Sequence, residues 1–271
     1  MKDATFIIPL RIDSSDRVRN IITTVGFLLK TFDSKVIVKE VDSSPLFSEY
    51  ALPQITEYLD GFVDNLFYQF EKSDDTVFYR MQIINEMLSK VDTDIVFNYD
   101  CDVLLHKETY LKASQMIRDG YDIVYPYGFG NYQKQVNADD EVVSDFLSEL
   151  DFTILDNKSN IFDAQYGHVQ VLSYKSYFDA GMENENFKGS SPEDKERFYR
   201  FSTLGYNVGR IDNFVYHLEH SRGENSWPIS VQSNPYMGEN FSLWESIQKM
   251  DKDQLRNYYS SQKYLKKYGA K

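Results

Sequence analysis

Cysteine is almost absent from this chain of 271 residues. Cys101 is the only one, so no intramolecular disulfide can form and a reducing compartment fits. Long apolar runs are missing too. None approaches the roughly 18 residues of a membrane span, and the opening MKDATFIIPL turns polar too soon for a signal peptide. The expectation is a soluble, cytoplasmic chain with no membrane span. Basic residues are in deficit, with 29 Lys and Arg against 42 Asp and Glu. The net charge of −13 argues against a broad nucleic-acid footprint. No internal repeat and no linker composition divides the chain.

Aromatic residues, by contrast, are abundant: 21 Tyr and 19 Phe. They supply core, and tyrosine-rich surfaces also suit flat, partly polar ligands such as sugars and bases. The first half alternates strand and helix patterns. Short apolar runs over 5–10, 35–41, 61–70, 94–99 and 121–126 read as strands. Between them lie helical patterns: Asp13 or Ser14 caps one that runs to about Phe32, and another reaches about Tyr58. Asp74 or Asp75 caps a third to Lys90, and a fourth covers 107–119. This rhythm predicts an α/β fold, a mostly parallel sheet with helices on both faces.

The second half is less regular. Residues 131–160 are polar and acidic and read as an insertion or mobile region, with a helix around 142–150. A strand is expected over 168–174, and a helix over 192–204 with Ser190 or Ser191 as cap. Two short strands follow over 206–211 and 213–217, then a helical, increasingly basic tail over 242–268.

The run DIVFNYDCDVLL is the most informative segment, because an apolar strand that stops on Asp100 and Asp102 ends in residues that strands disfavour. Buried carboxylates need a partner or a metal. In an extended segment they point to one side and Cys101 to the other. Beyond the carboxyl end of a strand, where open α/β sheets bind ligands, they could hold a cation and through it a diphosphate. An Asp-rich turn would also account for D-x-D alone.

Other features fall in order around it. Pro9-Leu10-Arg11 closes the first strand, and Glu40 and Asp42 close the second. FYRMQIIN occupies a helix, Glu193-Asp194 opens another, and FVYH ends at His217. This order resembles the nucleotide-sugar glycosyltransferases of the GT-A fold, nearest to family 2 and the β-galactosyltransferase and chondroitin-polymerase-like group. The resemblance covers roughly 4–220. It implies a catalytic domain over 1–220, with a nucleotide-binding half (1–126) and an acceptor and catalytic half (127–220). Residues 221–271 are then a helical C-terminal extension.

The resemblance implies roles for individual residues. Pro9 and Arg11 line the nucleotide site, and Asp42, or less well Glu40, receives the base or ribose. Arg80 approaches the donor phosphates, Asp100 reaches the ribose or a metal-bound water, and Gly167 lets the backbone approach the donor sugar. Asp102 and His217 ligate Mn²⁺ or Mg²⁺, while His220, His168 and His106 are expected to be structural. Asp194 is the general base and Glu193 orients the acceptor. Here FKGSSPEDKER replaces the family's Trp-Gly-Gly, which leaves the acceptor open. Trp227 and Trp244 are candidates for stacking on an acceptor sugar or for packing.

The implied reaction is transfer of a hexosyl unit of galactose, glucose or N-acetylhexosamine type. It runs from a UDP-sugar to a hydroxyl of a glycan or related acceptor, with inversion. A retaining transferase, a nucleotidyltransferase and a catalytically silent sugar- or nucleotide-binding module are the alternatives. PLRIDSSDR has no glycine, unlike the phosphate loop with which nucleotidyltransferases usually open.

Overall fold

The computed structural model describes residues 1–189, 191–221 and 234–269. Ser190 and Trp227 lie outside the described residues. The first half follows the expected alternation: β1 (Ala4–Leu10), α1 (Ser15–Thr31), β2 (Lys35–Asp42), α2 (Leu52–Tyr58), β3 (Leu66–Lys72), α3 (Arg80–Leu88) and β4 (Ile95–Tyr99). Next come β5 (Val103–Leu104), α4 (Lys107–Arg118), β6 (Ile123–Tyr125), β7 (Gly130–Val136), α5 (Asp140–Glu149), α6 (Phe152–Asp156), β8 (Ser159–Ala164) and β9 (Val169–Ser173). The remainder is α7 (Tyr174–Asp179), α8 (Glu193–Leu204), β10 (Val208–Arg210), β11 (Val215–Leu218), α9 (Met237–Ile247), α10 (Lys252–Ser260) and α11 (Lys263–Lys267).

Seven strands form the main sheet in the order β10-β6-β9-β4-β1-β2-β3. β1 runs parallel to β2 and β4, β2 to β3, and β6 to β10. Only β9 is antiparallel to its neighbours. Every residue of β1 and β4 is buried, as expected of central strands covered on both faces. Pro9, near the end of β1, is buried with them; the β4 ladder stops at Ile7, so its missing N–H falls beyond that pairing. Ser14 caps α1, accepting from Arg17 N–H, and Phe32 ends it.

Strand direction decides where the chemistry gathers. β1, β2 and β4 are parallel, so Arg11, Asp42 and Asp100 emerge at one edge. β9 is antiparallel, so its start, not its end, lies there, and Asp100 N–H donates to His168 O at 2.9 Å.

Residues 131–160, expected as an insertion or mobile region, form regular secondary structure. They build β7, α5 and α6, and β8 begins at their end. Val136, Val142, Val143, Phe146, Phe152 and Leu155 from this stretch join the core. β7 belongs to a second sheet, β5-β11-β7-β8, which places His217 opposite Val103 and beside Gln135.

Other local expectations also give way. The helix assigned from Asp74 or Asp75 begins only at Arg80, because Ser73 Oγ and Asp75 Oδ1 bind Asp75 N–H and Val77 N–H in a turn. The helical tail consists of three short helices, α9, α10 and α11. Ile247, Leu255, Tyr259 and Leu265 pack it onto the core, and Asn184 donates to Tyr259 OH at 3.0 Å.

Candidate active site and metal centre

After Tyr99 the chain leaves the extended conformation and turns. Asp100 and Asp102 therefore do not share one side with Cys101 opposite. Cys101 Sγ and Asp102 Oδ2 both receive Arg17 Nη1, at 3.4 and 3.3 Å. The Cys101 thiol is pushed up to about 12 by burial and by Asp102, which keeps it neutral.

Asp102 is buried and meets two histidines. His220 Nε2 lies 3.3 Å from Oδ2 and His217 Nε2 lies 3.7 Å from Oδ1. One ligand atom from each of the three residues falls within 4.8 Å of the others. His217 comes from β11, which the second sheet holds against Asp102; Leu218 N–H donates to Asp102 O at 2.8 Å. His220 arrives because the first two turns of α1 clamp the chain beyond β11. Asn20 Nδ2 donates to Leu218 O at 3.0 Å and Arg19 Nη2 to Glu219 O at 2.8 Å, while Asp16 Oδ2 accepts from Ser221 N–H at 2.8 Å. No helical turn is needed to bring the two histidines together.

The outer hydrogen bonds set the imidazole tautomers. His220 Nδ1 donates to Ser221 O at 2.8 Å and His217 Nδ1 to Gln135 Oε1 at 3.0 Å. Each ring thus turns its Nε2 toward the Asp102 carboxylate. Burial works to raise the pKa of Asp102. The field of His217, the hydrogen bond from His220 and the Arg17 guanidinium overcome it and hold the carboxyl well below the usual range. One ionised carboxylate and two imidazole nitrogens, with their outer partners in place, fit a divalent transition-metal ion such as Mn²⁺.

A second group of charges lies alongside. Arg80, at the start of α3, donates Nη2 to Asp100 Oδ1 at 2.5 Å; burial works against its charge, and Asp100, then Asp194, sustain it. Burial pushes Asp100 up and Arg80 opposes the shift, while Asp102 and Asp194 add to it. Glu193 and Asp194 occupy the first turn of α8. Asp194 Oδ1 accepts from Arg197 Nη1 at 2.8 Å, and its Oδ2 faces Gly167, where an added Cβ would lie 3.2 Å away. Glu193 is buried, and its Oε2 has no hydrogen-bond partner among the described residues. Burial, then the neighbouring Asp194 charge, raises it to about 8 against the pull of Arg80 and Arg197, so it carries its proton at neutral pH.

The remaining sequence candidates spread over the same edge. Asp42 Oδ2 accepts from Ile12 N–H at 3.0 Å and Oδ1 from Ser43 N–H at 2.7 Å, tying β2 to the loop after β1. Arg11 donates to Val41 O and Thr76 O at 3.0 and 3.1 Å and lies over the Phe78 ring. Glu40 is buried, accepting from Phe47 N–H and Tyr68 OH. His106 packs on Phe152, His168 Nε2 meets Gln133 Oε1 at 3.0 Å, and Trp244 packs edge-on against Tyr199.

Sequence reasoning did not foresee that Arg17 and His220 would meet Asp102. The run of polar residues on the first turns of α1, Asp16-Arg17-x-Arg19-Asn20, was the available signal.

By sequence the chain matches no family model and no curated protein. In structure it is similar to the mannosyltransferase PcManGT from Pyrobaculum calidifontis, solved with GDP-Man and Mn²⁺. That similarity has 13% identity and a TM-score of 0.56, over 97% of this chain and 69% of the other. A mycobacterial protein matches at 12% identity and a TM-score of 0.51, over 83% and 70% of the two chains. Glucosyl-3-phosphoglycerate synthase from Mycobacterium tuberculosis, solved with Mn²⁺, UDP and phosphoglyceric acid, matches at 12% identity and a TM-score of 0.47, over 82% and 72%. At this identity the likeness establishes the fold, a GT-A-type mixed α/β sheet. No helix among the described residues is long and apolar enough to cross a membrane.

Proposed function

We propose that this protein is a metal-dependent glycosyltransferase that moves a hexosyl unit from a UDP-sugar to a hydroxyl of a glycan or related acceptor, with inversion. The supporting observation is the convergence of Asp102, His217 and His220 at the sheet edge that also carries Arg80, Asp100, Glu193 and Asp194. A Mn²⁺ or Mg²⁺ ion held by Asp102, His217 and His220 would neutralise charge on the departing diphosphate. Arg80, already charged and paired with Asp100, stands ready to meet the same phosphates. Arg11 and Asp42, at the same sheet edge, would meet the nucleotide.

Asp194 supplies the base: its carboxylate takes the proton of the acceptor hydroxyl as that oxygen attacks the anomeric carbon. Glu193, protonated at neutral pH, donates a hydrogen bond that orients the acceptor. Gly167 leaves room for the sugar to approach Asp194. A GDP-sugar is the second reading of the donor, favoured by the GDP-Man held in PcManGT.

The test separates metal from base. Asp102→Ala and Asp194→Asn each abolish transfer, but only Asp194→Asn keeps Mn²⁺-dependent stabilisation by UDP or GDP in a thermal melt. Equal loss of nucleotide binding in both variants rejects this division of roles, and a response to GDP alone moves the donor to the second reading.

A further inference from the structure

The fold holds a buried ion pair that the transfer reaction does not itself require. Arg197 and Glu183 are each at most 1% exposed. Arg197 Nε and Nη2 grip the two Glu183 oxygens at 2.7 and 2.9 Å, a bidentate pair. The third nitrogen, Nη1, is shared between Gln170 Oε1 at 3.0 Å and Asp194 Oδ1 at 2.8 Å. Glu183 is fixed in turn. Asn85 Oδ1 accepts from Glu183 N–H and Asn85 Nδ2 donates to Glu183 O, both at 2.9 Å, and Tyr177 OH donates to its carboxylate. Asn85 and Arg80 share α3, so one helix braces both the donor-side ion pair and this network.

A buried pair of this kind adds little net stability, because desolvation offsets the attraction. Its geometry accomplishes something else. Arg197 occupies Oδ1 of Asp194, which leaves Oδ2, the oxygen beside Gly167, to face the reactants.

We propose that Glu183 is a positioning residue for transfer, acting through Arg197 to hold Asp194 so that Oδ2 alone receives the acceptor proton. This rests on the reading of Asp194 as base. In the step, the acceptor O–H bond breaks and Oδ2–H forms. The acceptor oxygen bonds the anomeric carbon, and the electron pair of the broken carbon–oxygen bond leaves with the diphosphate. Glu183 balances the guanidinium charge, so Arg197 orients the base without a bare cation beside it.

The test uses the full chain with Mn²⁺ and the fastest of UDP-glucose, UDP-galactose, UDP-N-acetylglucosamine and GDP-mannose, with water as acceptor. The double variant Glu183→Leu/Arg197→Met removes both charges together, so neither is left buried alone. Its kcat is expected to fall about 10- to 100-fold, with donor KM within about twofold and Mn²⁺-dependent UDP binding retained. Wild-type kcat in the double variant overturns the proposal. Should the double variant lose UDP binding by misfolding, Arg197→Lys keeps the charge but not the fork; normal kcat there overturns the proposal as well. Unimpaired turnover by Asp194→Asn itself, or no turnover by wild type with any of the four donors, removes the base reading first and the relay with it.

Discussion

Replacing Asp102 by Asn keeps its size and removes its charge, so the consequences follow from its contacts. Asp102 faces Arg17 and His220 at 3.3 Å each and His217 at 3.7 Å, with only 6% of its side chain exposed. Stranding a buried partner costs about 3–5 kcal/mol. Arg17 keeps Asp13 at 3.0 Å, so metal-free protein loses less, about 2 kcal/mol. For a chain of this size that corresponds to a melting temperature roughly 4–8 °C lower. The sign with pH is fixed: Asp102 is held below its ordinary range, so its contribution is complete above about pH 4 and is lost as pH falls through the folded value. The difference between wild type and variant should shrink in strong acid, as pH falls through the folded value.

Mn²⁺ with UDP at about 100 times Kd stabilises wild type by about 2.7 kcal/mol. A variant whose affinity drops about 100-fold keeps only about 0.4 kcal/mol, a shift near 1 °C. Differential scanning fluorimetry with and without Mn²⁺ and UDP reads both effects. A variant that melts with wild type when metal-free, or that keeps the full Mn²⁺ shift, refutes the site.

Two further outcomes are expected. Glu193 is raised to about 8 in the fold and ionises near 4.3 when unfolded, so its burial costs stability progressively between those values. Glu193→Gln should therefore melt with wild type only near pH 4 and well above it at pH 8.5; identical pH profiles would contradict a protonated Glu193. Gly167→Ala places a methyl 3.2 Å from Asp194 Oδ2, so kcat should fall about tenfold with Mn²⁺-dependent UDP binding intact, and an unchanged kcat would mean that Oδ2 is not the working oxygen.

The sequence made parts of this legible because they are local. β1, β2 and β4 are short, largely apolar runs, and the carboxylates that close β2 and follow β4 contradict strand chemistry strongly enough to be noticed. Glu193-Asp194 opens a helix that its neighbours announce. β7, by contrast, reads GNYQKQV and buries only its last two residues fully, so no alternation betrays it. What makes it a strand is pairing with β11, some eighty residues on. His220 and Arg17 were hidden for the same reason. Their roles depend on α1 clamping residues 218–221, a contact between segments about 200 residues apart. The Glu183–Arg197 pair, too, is a tertiary event in which each partner alone looks like a surface charge.

The central claim is metal-dependent transfer with inversion, and the anomeric configuration of the first product tests it most directly. Wild type incubated with Mn²⁺ and an α-linked UDP-sugar, followed by proton NMR before mutarotation, should release the β-hexose first. Release should stop on chelation and in Asp194→Asn. Initial release of the α-hexose, or release that persists without divalent metal, would contradict the account.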